Sequence, residues 1–296
     1  MTKVLVLVKR TSYRTFVMDR RDATVTALIE NGDAAVSRMR RSYEAHEATL
    51  RDVMDALRDL RVDADVRLGP RTPIEETYDL VVTVGGDGTL LAASHHLGPK
   101  TPLLGINSAP ETSVGFFCAA TAHTARRVLG QALDGTIERT ALARMRVDVN
   151  GECIHRRILN EMLFCHPSPA ATSRYILAVT LPGGTTEEEE QRSSGLWIGP
   201  PAGSTAAQRS AGGVILPLTS GALQFVVREP YVRLGASLEL RSGVVEDGGT
   251  ITIRCKMREA KLFIDGHHTT HDVEIGDVIT MRRSEEDLTV LGMSAR

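Results

Sequence analysis

The chain has 296 residues, 42% of them apolar, and its 35 basic and 37 acidic side chains nearly cancel to a formal net charge of −2. That composition supports a sizeable core and about two domains. It offers nucleic acid no basic surface, because RRDATVTALI and RMRR are short patches of the kind found on solvated helix faces, and no stretch reaches the about 18 apolar residues of a membrane span.

In chain order, KVLVLV reads as a strand that starts almost at the first residue, with no targeting segment ahead of it. From Ala45 to Leu60, residues Leu50, Val53, Met54, Leu57 and Leu60 share one face at helical spacing. VDADVRL, DLVVTV and PLLGIN follow as strands, with a helix, LLAASHHL, ahead of the last and Gly98-Pro99 as its stop signal. A second helix, TAHTARRVLGQAL, closes near Gly135. This alternation predicts a parallel sheet covered by helices. The texture then changes to short β-prone runs: MRVDV, RRILNEMLF, RYILAVTL, GLWIG, LQFVV, SLELR, TITIRCKM, KLFID and VITMRR. Turn residues at Asn150-Gly151, Gly183-Gly184, Gly248-Gly249 and Asp265-Gly266 separate them. The expected architecture is an α/β N-terminal domain with a parallel sheet, residues 1–138, and a mainly antiparallel β C-terminal domain, residues 139–296, whose extreme C-terminus is free to pack back on the first. Glu187 to Glu190 reads as a solvated loop. Cys118, Cys153, Cys165 and Cys255 lie far apart without C-x-x-C spacing, which fits a reducing cytoplasm.

Chemistry concentrates at Gly85-Gly86-Asp87-Gly88-Thr89, between the DLVVTV strand and the LLAASHHL helix. Glycines admit a ligand close to the backbone, and the first amides of a helix suit a phosphate. Asp87 repels a phosphate unless a metal ion lies between them or the carboxylate faces a hydroxyl nucleophile, and either role points to phosphoryl transfer. The competing reading is a plain glycine-rich turn with Asp87 capping the helix. Lys3, Lys9, Lys100, Lys256 and Lys261 all fall outside glycine-rich loops, and the first βα turn lacks G-x-G-x-x-G, so the two commonest phosphate-binding devices are absent.

Two more constellations lie in the β half. Asn160-Glu161, within ILNEMLF, reads as part of a strand, where neighbours face opposite sides and at least one points toward protein or ligand unless the strand is an edge. A ribose diol or an adenine edge would offer both side chains partners. Pro200-Pro201-Ala202-Gly203-Ser204-Thr205-Ala206-Ala207, then Ser210-Ala211-Gly212-Gly213, predicts a turn, a short helix capped by Ser204 or Thr205, and a glycine stop. Small residues there would let a flat or phosphorylated ligand lie against backbone, although capping alone also explains the hydroxyls. His267, His268 and His271 cluster and His95-His96 end the first helix of the motif, but no cysteine or carboxylate set completes a tetrahedral site, so no protein-bound metal is expected.

Taken in order, GGDGT, Asn-Glu, Gly-Ser-Thr-Ala with Ser-Ala-Gly-Gly, and the Asp265-Gly266 turn resemble the NAD kinase family over nearly the whole chain, Lys3 to Leu291. The resemblance implies the two-domain fold shared by NAD kinases and diacylglycerol kinases. It implies transfer of phosphate from ATP with Mg²⁺, or from inorganic polyphosphate, to the 2′-hydroxyl of the adenosine ribose of NAD, and assembly as a homodimer or homotetramer. Carried over by position, it makes Asp87 the catalytic carboxylate and Gly85, Gly86, Gly88 and Thr89 the loop around it, with Gly88 against the ribose. Asn160 and Glu161 would hold NAD, Thr205, Ala206 and Ser210 would line its adenosine end, and Phe116 would lie against adenine. Ser194-Gly195 replaces the Asp-Gly of common bacterial members, Pro200-Pro201-Ala202 replaces Thr-Pro-Thr, and Ala207 replaces a tyrosine. Ser193-Ser194-Gly195, the Asn107 to Glu111 loop and Arg228-Glu229-Pro230 look like the mitochondrial-type NAD kinases of animals, which makes the chain resemble a bacterial relative of that branch. A lipid kinase of the diacylglycerol or sphingosine type shares GGDGT, and a non-catalytic NAD(P)-binding regulator is a third reading. Asn160-Glu161 and Ser-Ala-Gly-Gly favour a dinucleotide.

Overall fold

The computed structural model describes residues 2–69, 73–74, 77–235 and 237–293. The chain divides into two compact units. One runs to Thr140 and takes back the segment from Leu288, and the other runs Ala141–Asp287.

The first unit begins with β1 (Lys3–Val8), followed by the helices α1 (Ala23–Glu30) and α2 (Met39–Asp59). Then come β2 (Asp63–Leu68), β3 (Leu80–Gly85), α3 (Asp87–Ser94), β4 (Leu103–Asn107), β5 (Cys118–Thr121), α4 (Ala122–Leu133) and β6 (Arg139–Leu142). β1 lies parallel to both β2 and β3, and β3 lies parallel to β4. Every residue of β3 and β4 is buried, which is why these strands read as unbroken apolar runs rather than alternations. On one face Val4, Val6, Val8, Val82, Val84, Leu104 and Ile106 pack against Val53, Ala56 and Leu57 of α2 and Ala125, Val128 and Leu129 of α4. On the other face α3 comes so close that a Cβ on Gly105 would sit 2.9 Å from Leu90 Cδ1. α3 begins inside the glycine motif, at Asp87, and stops at Ser94, short of Gly98.

The second unit holds β7 (Met145–Val149), β8 (Glu152–Ile158), β9 (Met162–Cys165), β10 (Ser173–Thr180), β11 (Thr186–Ser193), β12 (Gly195–Gly199), the one-turn helix α5 (Ala207–Ser210), β13 (Leu223–Arg228), β14 (Ser242–Val245), β15 (Thr250–Cys255), β16 (Ala260–Ile264), β17 (Thr269–Val273) and β18 (Val278–Arg283). They form two six-stranded sheets, ordered β11-β10-β15-β18-β7-β8 and β14-β13-β12-β9-β16-β17. Met145, Val147, Tyr175, Leu177, Ile251, Ile253, Ile279 and Met281 from one sheet share a core with Phe164, Leu196, Ile198, Phe225, Val227, Leu262 and Ile264 from the other. Phe164 meets Tyr175 edge to face, with centroids 5.2 Å apart. Asn150-Gly151, both with positive φ, makes the β7–β8 hairpin.

Two expectations fail here for one shared reason. Glu187 to Glu190 is not a loop but lies in the edge strand β11, paired antiparallel with β10. SLELR at 237–241 is not a strand, because the amides of Glu239 and Leu240 donate instead to the Glu189 carboxylate at 3.0 Å each. The charged run also protects a sheet edge from further pairing.

After the second unit the chain returns as β19 (Leu288–Leu291), completing a seven-stranded sheet in the first unit, ordered β2-β1-β3-β4-β19-β6 with β5 alongside β4. No helix among the described residues is long and apolar enough to cross a membrane.

At the carboxyl ends of the parallel strands, His46 of α2 is 2% exposed and its Nδ1 lies 2.8 Å from Ser108 Oγ, just past β4. Burial, reinforced by the positive charges of Lys9 and Arg14, lowers its pKa from 6.5 to about 4. The unfolded chain therefore binds more protons than the folded one between these values, so stability is full above about pH 6.5 and declines as pH falls toward 4. The expected loss is about 3 kcal/mol, read from urea unfolding across that range, and His46→Gln should flatten the slope. In the second unit, Phe164→Ala should cost about 3–5 kcal/mol in the same measurement. Ile275→Ala, at a position 64% exposed, should stay within about 0.5 kcal/mol.

Candidate functional site

The β3–α3 junction is built by steric exclusion. A Cβ on Gly85 would collide with the Thr89 side chain, and one on Gly86 with Ser113 Oγ. Gly86 is extended and serves as the N-cap without a side-chain bond, so Asp87 is the first helical residue rather than the cap. Its carboxylate reaches away from its own helix: Oδ2 accepts the Phe116 amide at 3.0 Å and Oδ1 the Phe117 amide at 2.9 Å. The helix-capping reading of Asp87 is thereby replaced by a tie between α3 and the loop after β4. A Cβ on Gly88 would meet nothing within 4 Å, so the side of α3 next to Asp87 is open.

That loop is held from beneath. Asn107 Oδ1 accepts the Ala109 amide at 3.2 Å, and its Nδ2 donates to Ser113 O at 3.0 Å. Gly115, with φ +66, packs so tightly on Asn107 that a Cβ would collide with the amide. Phe116 is half-buried and stands edge to face with Phe117, centroids 5.1 Å apart. The structure thus joins Phe116 to Asp87 through its backbone. Cys118 follows, its thiol pushed up to about 12 by burial and then by the Asp87 charge, which leaves it unreactive. A separate cavity of about 520 Å³ lies between α2, the Ser108 to Thr112 loop and the start of α4, and Asp87 does not line it.

In the second unit, Asn160 and Glu161 are not on a strand. β8 ends at Ile158 in one sheet and β9 starts at Met162 in the other, and the two residues occupy the bend between them. Strand alternation therefore does not aim them. Asp265 does, since its carboxylate accepts the amides of Leu159 at 2.9 Å, Asn160 at 2.7 Å and Glu161 at 3.0 Å. The Asp265 amide in turn donates to Glu161 O at 2.9 Å, and its φ of +46 places it in the left-handed region. Asn160 Oδ1 and Glu161 Oε2 are buried without a hydrogen-bond partner. Burial first, and the Asp265 charge second, raise the Glu161 carboxyl from 4.5 to about 8. The neutral, proton-bearing form of Glu161 is thereby favoured.

The glycine-rich segment after β12 leans on the same bend. A Cβ on Gly199 or on Gly203 would collide with Asn160 O. Gln208, fully buried, donates from Nε2 to Asn160 O at 3.4 Å and accepts from Gln224 Nε2 at 3.0 Å. Ser204 is not a helix cap: its Oγ donates to Pro201 O at 2.7 Å and accepts the Leu216 amide at 3.0 Å. Thr205 does not cap α5 either, because Ala206 occupies that position without a side-chain bond. Thr205 and Ala206 are half-buried where this turn meets α5. Ser210, exposed at the end of α5, lines a cavity of about 530 Å³ with Trp197, Ala207, Ala211, Arg228 and Glu229. Arg228 stacks over the Trp197 ring at 5.7 Å.

Gln208, Gln224, Gly199 and the carboxylate of Asp265 escaped the reading of the sequence, and Gly203, read there as room for a ligand, instead makes room for Asn160 O. The four-residue spacing of the two glycines around Pro200-Pro201 is the one signal that hinted at close backbone approach. His267 and His268 lie ring against ring at 3.7 Å, and among the described residues no three His, Cys, Asp or Glu side chains gather to hold a metal.

The family profile for the ATP-NAD kinase N-terminal domain matches residues 8–137. The probable NADH kinase of Oryza sativa subsp. japonica is 37% identical over 235 residues, covering 74% of this chain and 72% of that protein. Among solved structures, an NAD kinase from Archaeoglobus fulgidus in complex with ATP has the same fold, with TM-score 0.67, 22% identity, and coverage of 98% of this chain and 93% of the other. Yeast NADH kinase complexed with NADH gives TM-score 0.68 at 16% identity, covering 99% and 84%. With two thirds of a relative matched above 30% identity, the chain belongs to the NAD kinase family.

Proposed function

We propose that the chain transfers the terminal phosphoryl group of ATP to the 2′-hydroxyl of the adenosine ribose of NAD, giving NADP, with Asp87 as the catalytic carboxylate. The observation that carries this reading is the Asp87 side chain, held by the Phe116 and Phe117 amides at the start of α3 beside the open face of Gly88. Each oxygen accepts one amide and keeps lone-pair capacity for a hydroxyl proton. Phosphoryl transfer passes through a loose transition state that asks chiefly for alignment and charge neutralisation. Asp87 orients the ribose hydroxyl and takes its proton late, and the first amides of α3 face the transferred group.

Asn160 and Glu161 fit a dinucleotide because two buried oxygens, Asn160 Oδ1 as an acceptor and Glu161 Oε2 of a carboxyl whose neutral form is favoured, lack partners that a ribose diol or an adenine edge can supply. Thr205, Ala206 and Ser210 are assigned to its adenosine end and Phe116 to its adenine. Mg²⁺ arrives on the ATP phosphates as part of the substrate and supplies positive charge there. The reduced and oxidised cofactors share the same adenosine ribose, so the chemistry at Asp87 serves either. The relatives named above are NAD and NADH kinases and lend no support to a lipid kinase or a non-catalytic regulator. A homo-oligomer and a cytoplasmic location belong to the same proposal, the latter supported by four free cysteines.

The test is purified protein with ATP, Mg²⁺ and NAD, with NADP followed through an NADP-specific dehydrogenase. Asp87→Asn should lower kcat by at least about 100-fold while the Kd for NAD stays within about threefold. Near-normal kcat in that variant contradicts the assignment.

A further inference from the structure

A carboxylate that collects consecutive amides is a device for holding a backbone bend, and the bend held by Asp265 carries two buried side-chain oxygens without partners among the described residues. We propose that Asp265 is a positioning residue for dinucleotide binding, fixing the Leu159–Asn160–Glu161 bend through its three amides so that the Asn160 and Glu161 side chains stand ready for the ligand, and acting on Glu161 through its charge. The inference rests on the reading that these two side chains hold NAD.

Three features support it. The segment is a crossing between two sheets, so no ladder fixes its backbone and the amides depend on Asp265. Asp265 itself is held in left-handed conformation and is tied back by its amide to Glu161 O. Uncharged groups pack against the Asn160 carbonyl: Gly199 and Gly203 approach it closely, and the Gln208 amide donates to it. The charges that act on the bend include Asp265 directly and the buried Arg144, which interacts electrostatically with Asp265 and also with Arg157, Glu286 and Asp287. With Asp265 in place, Glu161 holds its proton up to about pH 8 and offers Oε2–H to an acceptor on the dinucleotide.

The measurement is NAD affinity by calorimetry, with kcat and both KM values, from about pH 6 to pH 9. In the unaltered protein the Kd for NAD should rise about tenfold by pH 9, one unit above the Glu161 value of about 8. Asp265→Asn keeps an acceptor oxygen for the amides but removes the charge. It should raise KM for NAD about tenfold at pH 7, leave KM for ATP within about twofold, and move the alkaline loss of affinity to lower pH. A weakened affinity whose pH onset does not move would assign Asp265 a purely structural role and overturn the proposal, as would an unchanged KM for NAD. If Asp265→Asn does not fold by circular dichroism, Glu161→Gln decides: its pH dependence must vanish, and persistence of the alkaline loss overturns the proposal. Absence of NAD binding by the unaltered protein would instead defeat the functional reading itself.

Discussion

Irregular backbone that carries a ligand site must find partners for its amides, since a buried N–H without one costs about as much as a lost hydrogen bond. Asp87 and Asp265 meet that constraint at the proposed site, and Glu189 holds a surface segment in the same way. Asp87 accepts from Phe116 and Phe117, Glu189 from Glu239 and Leu240, and Asp265 from Leu159, Asn160 and Glu161. Each of these contacts stabilises backbone where no strand partner or helix turn is available. The sheets supply rigidity, but these carboxylates decide where the loops stand.

Asp87 and Glu161 show how similar side chains acquire different duties from their surroundings. Asp87 stands at the start of a helix with an amide on each oxygen and an open glycine beside it. Glu161 is buried with one oxygen unpartnered and a second carboxylate nearby, so its neutral form is favoured. The proposed proton acceptor Asp87 and the proposed donor Glu161 thus differ in surroundings rather than in unusual residue type.

Much of the fold was legible in the residues because burial leaves a periodic trace. β1, β3 and β4 lie between helical layers and read as apolar runs, and the hairpin at Asn150-Gly151 carries its own turn chemistry. β11 was hidden because its glutamates face solvent and a neighbouring loop, leaving only Gln191 and Ser193 buried. The GGDGT junction was legible because Gly85 answers a local clash with Thr89 and the run joins an apolar strand to a helix. The Asn160–Glu161 bend was not, because its support is non-local: Asp265 lies 104–106 positions away in sequence. A turn dipeptide announces its backbone in sequence, but nothing there tells which distant amides its side chain will serve.

The same logic extends to the places where the chain passes from one unit to the other. On the first unit's side, Thr140 Oγ1 donates to Met293 O and the Gly292 amide to Glu138 O at 2.8 Å, so the departing and returning segments run together. On the second unit's side, fully buried Arg144 donates from Nε to Glu286 O at 2.6 Å, and the Ser284 amide donates back to Arg144 O at 2.7 Å. Glu286 also accepts from Arg157 Nε at 2.7 Å, which gives the buried guanidinium a nearby counter-charge. A guanidinium suits this position because its several N–H donors can satisfy carbonyls on a strand end that no ladder reaches. Since Arg144 also acts on Asp265 electrostatically, the residue that secures the crossing bears on the bend that presents Asn160 and Glu161. In the second unit, therefore, the constraint that closes the fold and the constraint that orders the proposed dinucleotide contacts meet in one network of charges and backbone amides around the buried Arg144.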